Sequence, residues 1–135
     1  MLLPTECYLN SIDDLIKIMA VHTSNTIESL RIACAEKGWD GYDSEPMPEI
    51  VFKRAETIRP YIPKIFELFP GADGSLQWEW HEFRKNGRWD IIEVYPLHFY
   101  FNDNDDGDIE FNTPEEIITY LKEKYKCLSG CALQN

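Results

Sequence analysis

Positive charge is scarce in this chain: 13 Lys and Arg stand against 24 Asp and Glu, a formal net charge of −11 at pH 7. A field of that sign repels phosphate, so nucleic acid and anionic membrane are poor partners. Long apolar runs are also missing. Leu2 and Leu3 are followed by Glu6, Asp13 and Asp14, too soon for an export signal or a membrane span. Cys127 and Cys131 lie four apart and with His22 or Cys7 could be drawn as a zinc site, but no Cys-x-x-Cys or His-x-x-x-His pair is present and the tail around Ser129 and Gly130 reads as fraying, so structural or incidental thiols are expected. Reduced thiols in a cytoplasmic protein are expected. Gly-x-Ser-x-Gly, His-Glu-x-x-His and a phosphate-cradling glycine loop are absent too, so the sequence offers no catalytic residue, cofactor or metal site.

What the chain does have is material for a core. Over 135 residues, 44% are hydrophobic and 13% aromatic, with 4 Trp, 7 Tyr and 7 Phe, so a single domain over residues 1–135 is expected. The tail after about residue 126 reads as a fraying end.

Ile12, Leu15, Ile16 and Met19 have helical spacing behind Ser11, and a second helix is expected from about Asn25 to Lys37, capped by Ser24 and stopped by Gly38. Its apolar face would be Ile27, Leu30, Cys34 and Ile32. Residues 38–48 carry two glycines, two prolines and no basic residue, and read as an ordered loop. Helical spacing resumes through Val51, Ala55, Ile58, Ile62, Ile65 and Phe69, with Pro60 and Pro63 predicting a break near Arg59. The period then falls to two. Leu76, Trp78 and Trp80 form one strand face, and a two-residue turn at Asn86-Gly87 would set Trp78 near Tyr95 and Arg84 near Trp89, with Trp89, Ile91 and Tyr95 in the core. Strands through Phe99 and Phe101 and through Ile109 and Phe111 follow. Thr113, Pro114, Glu115 and Glu116 then open a closing helix that turns Ile117, Ile118, Leu121 and Tyr125 inward. The class is α+β: N-terminal helices, an antiparallel meander of about four strands and a C-terminal helix.

Trp39-Asp40-Gly41-Tyr42, followed by Pro46 and a helix, then Asp73-Gly74 and Trp78-Glu79-Trp80, resembles the pattern of a widespread group of short, uncharacterised bacterial proteins marked by a Trp-Asp-Gly-Tyr motif. The resemblance spans roughly residues 25 to 95. It implies a small α+β domain of bacterial or phage origin and transfers no catalytic role.

Two segments concentrate the acidity. Asp103, Asp105, Asp106, Asp108, Glu110, Glu115 and Glu116 fall in a stretch without Lys or Arg, as do Asp40, Asp43, Glu45 and Glu49. Surplus carboxylates serve solubility in many proteins. Packed this densely, they also repel one another until a cationic surface covers them, and neighbouring rings can anchor the contact. The expected function is a non-enzymatic inhibitor that occludes a basic, nucleic-acid-handling surface of a nuclease, toxin or defence effector. Immunity proteins, antitoxins and anti-CRISPR proteins share its size and charge. The contact residues would be Asp40, Tyr42, Asp43 and Glu45 in the loop and Asp103, Asp105, Asp106 and Asp108 in the acidic turn. Two alternatives are a divalent-metal-responsive or hydrolytic protein using the acidic turn with His98 or His81, and a self-associating domain that pairs as a homodimer. Against a calcium loop, the twelfth position counted from Asn102 is Thr113 rather than Glu.

Overall fold

A computed structural model describes residues 25–81, 87–128 and 132–134. The helix expected around Ile12 to Met19, the Ser24 cap and the Arg84 and Asn86 positions lie outside the described residues.

Helix α1, Ile27–Ala33, starts at Thr26, whose Oγ1 accepts the Ser29 amide while Ser29 Oγ accepts the Thr26 amide. Ile27, Leu30 and Cys34 are buried as their spacing predicts, whereas Ile32 is 80% exposed. Helix α2, Glu49–Ile58, buries Val51, Phe52, Ala55 and Ile58. It gives way to a 3₁₀ turn at Arg59–Tyr61, where Pro60 and then Pro63 withdraw backbone donors. The break near Arg59 is therefore present, but the chain beyond it does not resume a helix. Ile62 and Ile65 stay buried on non-helical backbone, and Glu67–Gly71 forms strand β1.

Strands β2 (Ser75–His81), β3 (Trp89–Val94), β4 (Phe99–Asp103) and β5 (Gly107–Phe111) complete an antiparallel sheet in the order β1-β2-β3-β4-β5. The meander has five strands rather than about four, and the addition is β1. Asp73-Gly74 closes β1 onto β2, with Gly74 at φ +86°, a conformation open to glycine. Helix α3, Pro114–Lys124, is capped by Thr113 and Glu116 and buries Ile117 and Leu121.

The register corrects one expectation. Trp78 faces Ile92, not Tyr95, and His81 faces Trp89, so the β2–β3 connection is longer than Asn86-Gly87. This shift sends Ile92, Val94 and Asp90 inward and leaves Trp89, Ile91 and Tyr95 on the opposite face. Two forces decide it: burying Ile92 and Val94 keeps Glu93 in water, and Asp90 has an internal cation to meet.

Leu68, Leu76, Trp78, Ile92, Phe99 and Phe101 line the inner face against α1, α2 and α3. The tail is not loose throughout. Pro63 bridges Leu133, the Lys64 amide donates to Ala132, and the Gln134 amide donates to Ile62, which ties residues 132–134 to the segment before β1. Cys34 is a buried thiol and Cys127 an exposed one. No helix among the described residues is long and apolar enough to cross a membrane.

Candidate functional site on the open sheet face

All five strands lack Lys and Arg, yet they carry seven carboxylates: Glu67, Glu79, Asp90, Glu93, Asp103, Asp108 and Glu110. Strand alternation sorts them. Leu68, Trp78, Ile92, Phe101 and Ile109 occupy inner positions of one register, so Glu67, Glu79, Glu93, Asp108 and Glu110 stand on the outer face. Only Asp90 and Asp103 turn inward.

The inward pair is neutralised inside the protein. Asp90, Asp103, Arg88 and Lys124 are all buried. Lys124 Nζ lies 2.5 Å from Asp103 Oδ2 and 3.3 Å from Asp106 Oδ2. Arg88 reaches Asp103 at 3.1 Å, Asp105 at 2.7 Å and Asp90 at 3.5 Å. Asp103 Oδ1 also accepts the amides of Asp105 and Asp106, which folds the acidic turn around its own cations. The Tyr120 hydroxyl donates to Asp106 and holds its carboxyl below the usual carboxylate range, with help from Lys124. Burial pushes the Asp90 carboxyl up, against the Tyr125 hydroxyl that donates to it at 2.7 Å and the charge of Arg88.

The outer face has no such internal cation among the described residues. Glu67 and Glu79 sit directly opposite one another across β1 and β2. Glu79 accepts from Gln77 and lies 2.9 Å from His81 Nε2. Toward the β3–β4 turn the face becomes aromatic. Tyr95 stacks on His98 at 5.0 Å between centroids, and Tyr100 meets both rings edge-on, at 5.6 and 4.9 Å. The single Tyr95 hydroxyl hydrogen lies between Glu93 Oε2 at 2.9 Å and Asp73 Oδ2 at 3.2 Å, and the Tyr100 hydroxyl donates to Glu110 at 3.3 Å. Partial burial and these carboxylates raise both phenol pKa values.

The two expected contact clusters lie apart. The loop is stapled by Asp40, which accepts the Tyr42 amide at 2.9 Å and the Ser44 hydroxyl at 2.5 Å, and these donors hold its carboxyl below the ordinary value. Trp39 donates to the Glu45 carbonyl and packs on the core, while Tyr42, 86% exposed, projects into solvent. Asp43 and Glu45 are exposed, and Lys37 approaches them at 3.9 and 3.8 Å. This loop borders the β1–β2 turn across an open cleft shared with Asp73 and Gly74. The acidic turn follows β4 at the other end of the sheet, a strand length of about 17 Å away. There Asp103 is buried, Asp105 and Asp106 are half-committed to Arg88 and Lys124, and Asp108 is exposed and accepts from Asn102. His98 precedes β4, at the end remote from that turn, and His81 pairs with Glu79, so neither histidine joins the acidic turn. Among the described residues no His, Cys, Asp and Glu group has the arrangement to hold a metal ion.

Sequence reasoning passed over the surface between the clusters. Its signal is the polar half of the strand alternation, Glu79, Glu93, Tyr100, Asp108 and Glu110, visible once the phase of β3 is set.

No family model, curated protein or solved structure matches this chain.

Proposed function

We propose that the protein is a non-enzymatic inhibitor that covers a Lys- and Arg-rich, nucleic-acid-handling surface of a partner protein, such as a nuclease, toxin or defence effector. This is the logic of immunity proteins, antitoxins and anti-CRISPR proteins. One observation carries the reading: the strands, which contain no Lys or Arg, place Glu79, Glu93, Asp108 and Glu110 on the outer face, while both buried acids are matched by Arg88 and Lys124. The buried acids meet Arg88 and Lys124, whereas Glu79, Glu93, Asp108 and Glu110 meet amide, phenol or imidazole groups rather than Lys or Arg. Such a face speeds encounter with a cationic groove, and its rings supply a desolvated anchor once the groove is met. The loop residues Tyr42, Asp43 and Glu45 extend the contact at one end and Asp105, Asp106 and Asp108 at the other. Asp40 and Asp103 act inward, as the staples of their turns.

The test is affinity for a partner recovered by co-purification from the native host, measured by calorimetry at about 0.1 and about 0.5 M salt, between which the Debye length shrinks from about 10 Å to about 4 Å. Glu79→Lys/Glu110→Lys should abolish binding and Asp43→Lys/Glu45→Lys should weaken it, each with an unchanged circular dichroism spectrum. A recovered partner whose affinity ignores both salt and the Glu79→Lys/Glu110→Lys change rejects the assignment.

A further inference from the structure

Resting on that reading, we propose that the Tyr95, His98 and Tyr100 cluster is the seat of an arginine side chain from the partner, and that the site prefers arginine to lysine. The three rings form one half-exposed aromatic surface at the end of the open face, flanked by Glu93, Glu110 and Asp73. Both phenol hydrogens are already spent on those carboxylates. Apart from the ring N–H of His98, what remains for a ligand is acceptors: phenol oxygen lone pairs, the unprotonated His98 nitrogen and carboxylate oxygens, beside the rings.

A group that only donates, is flat and carries charge matches this surface. Guanidinium has five N–H donors, no acceptor, and a plane that stacks on aromatic rings while its edge forks onto carboxylates. Ammonium is a point donor with strong hydration and gains less from the rings. Leu97, 80% exposed in the adjoining turn, offers an apolar rest for the aliphatic stem. Other occupants fit worse. A second copy would bring a chain of net charge −11 against the same sign. Residues 1–24 of this chain carry Glu6, Asp13 and Asp14 against one Lys17, and offer no arginine at all.

The probes are two fluorescein-labelled nonapeptides in which glycine alternates with four arginines or four lysines, titrated by fluorescence anisotropy at about 50 mM salt. The arginine peptide should bind about fivefold tighter, the yield of one exposed cation–π contact. His98→Ala and Tyr100→Ala, made separately so that one folded variant suffices, should each bring the two peptides toward parity while lysine-peptide affinity holds within about twofold. Ring resonances of Tyr95 and Tyr100 should shift on addition of the arginine peptide. Equal affinity for the two peptides, or an arginine preference that survives both substitutions, overturns the seat and leaves the basic-surface reading standing. Failure of both peptides to bind overturns the two together.

Discussion

Lys124→Met isolates the contribution of the buried charge network. The ammonium is buried, 2.5 Å from Asp103 and 3.3 Å from Asp106, and lies 5.3 Å from the centre of the Phe101 ring. Methionine keeps most of the stem's volume and its contact with Phe101 but deletes the charge. Asp103 would retain Arg88 at 3.1 Å and the two turn amides, Arg88 alone would then serve Asp90, Asp103 and Asp105, and Asp106 would keep only the Tyr120 hydroxyl. Removing one partner of a buried ion pair costs about 3–5 kcal/mol. Because two turn amides and Arg88 remain on Asp103, the low end applies, about 3 kcal/mol, a large fraction of a typical domain's stability and a fall in Tm of roughly 10 °C. Urea unfolding followed by tryptophan fluorescence reads it as a lower midpoint at constant m-value. Lys126→Met, which removes an exposed i,i+3 pair with Glu123, is the control and should cost about 0.5 kcal/mol or less. Combining Lys124→Met with Asp103→Asn should cost less than the sum of the two, since the cation and the charge it answers leave together. A Lys124→Met loss below about 1 kcal/mol, or full additivity with Asp103→Asn, would refute the idea that this network is held by mutual charge.

Asp106 has a folded pKa below its unfolded value, set first by the Tyr120 hydroxyl and then by Lys124. Its contribution is therefore present above about pH 4 and is lost as pH falls through the folded value. Asp106→Asn should be less stable than the parent at pH 7, and the gap in urea midpoint should close as the pH falls below the ordinary carboxylate range. A gap independent of pH would show that charge is not its source. Gly41 holds φ at +85° with open space where a Cβ would stand. Gly41→Ala should thus cost about 1 kcal/mol from backbone conformation alone, and an unchanged thermal midpoint would contradict the left-handed turn.

Legibility of the fold followed local chemistry. Thr113-Pro114-Glu115-Glu116 announces the start of α3 because cap, proline and acids each act within one turn, and the structure places the capping box there. β1 was hidden because Ile62 and Ile65 have helical spacing yet are buried on non-helical backbone, so periodicity could not register that the prolines had ended α2. The phase of β3 was hidden for a different reason. Asp90 turns inward only because Arg88, Lys124 and Tyr125 converge on its surroundings, and Lys124 and Tyr125 arrive from the far end of the chain. Hydrophobicity instead favours Trp89, Ile91 and Tyr95, the set that faces outward. The site inherits that error: dense acid runs draw attention to two turns at opposite ends of the sheet, whereas Glu79, Glu93 and Glu110 are scattered singly along three strands and converge only through pairing.

Charge is segregated between the two layers, and this limits what can cover the sheet. Arg31 pairs with Glu49 and Glu56, and Arg59 with Glu28, all on the helical layer. Arg88 and Lys124 point into the interior, so none of the strands' outward acids has a strand cation beside it. While the face is wet this costs little: two charges about 5 Å apart repel by about 0.8 kcal/mol in bulk water, and less with salt. Covering the face changes the balance, since each carboxylate taken out of water without a partner costs several kcal/mol. A neutral or acidic surface would incur that cost at Glu79, Glu93, Asp108 and Glu110 together, which sets close self-association through this face at a disadvantage. A basic surface would bring cations to these carboxylates in the same step as it covers them. On the proposed function, the carboxylates that would steer a cationic partner inward would also discriminate against other covers, and lowering their number should widen the range of surfaces that bind as it lowers the affinity for a basic one.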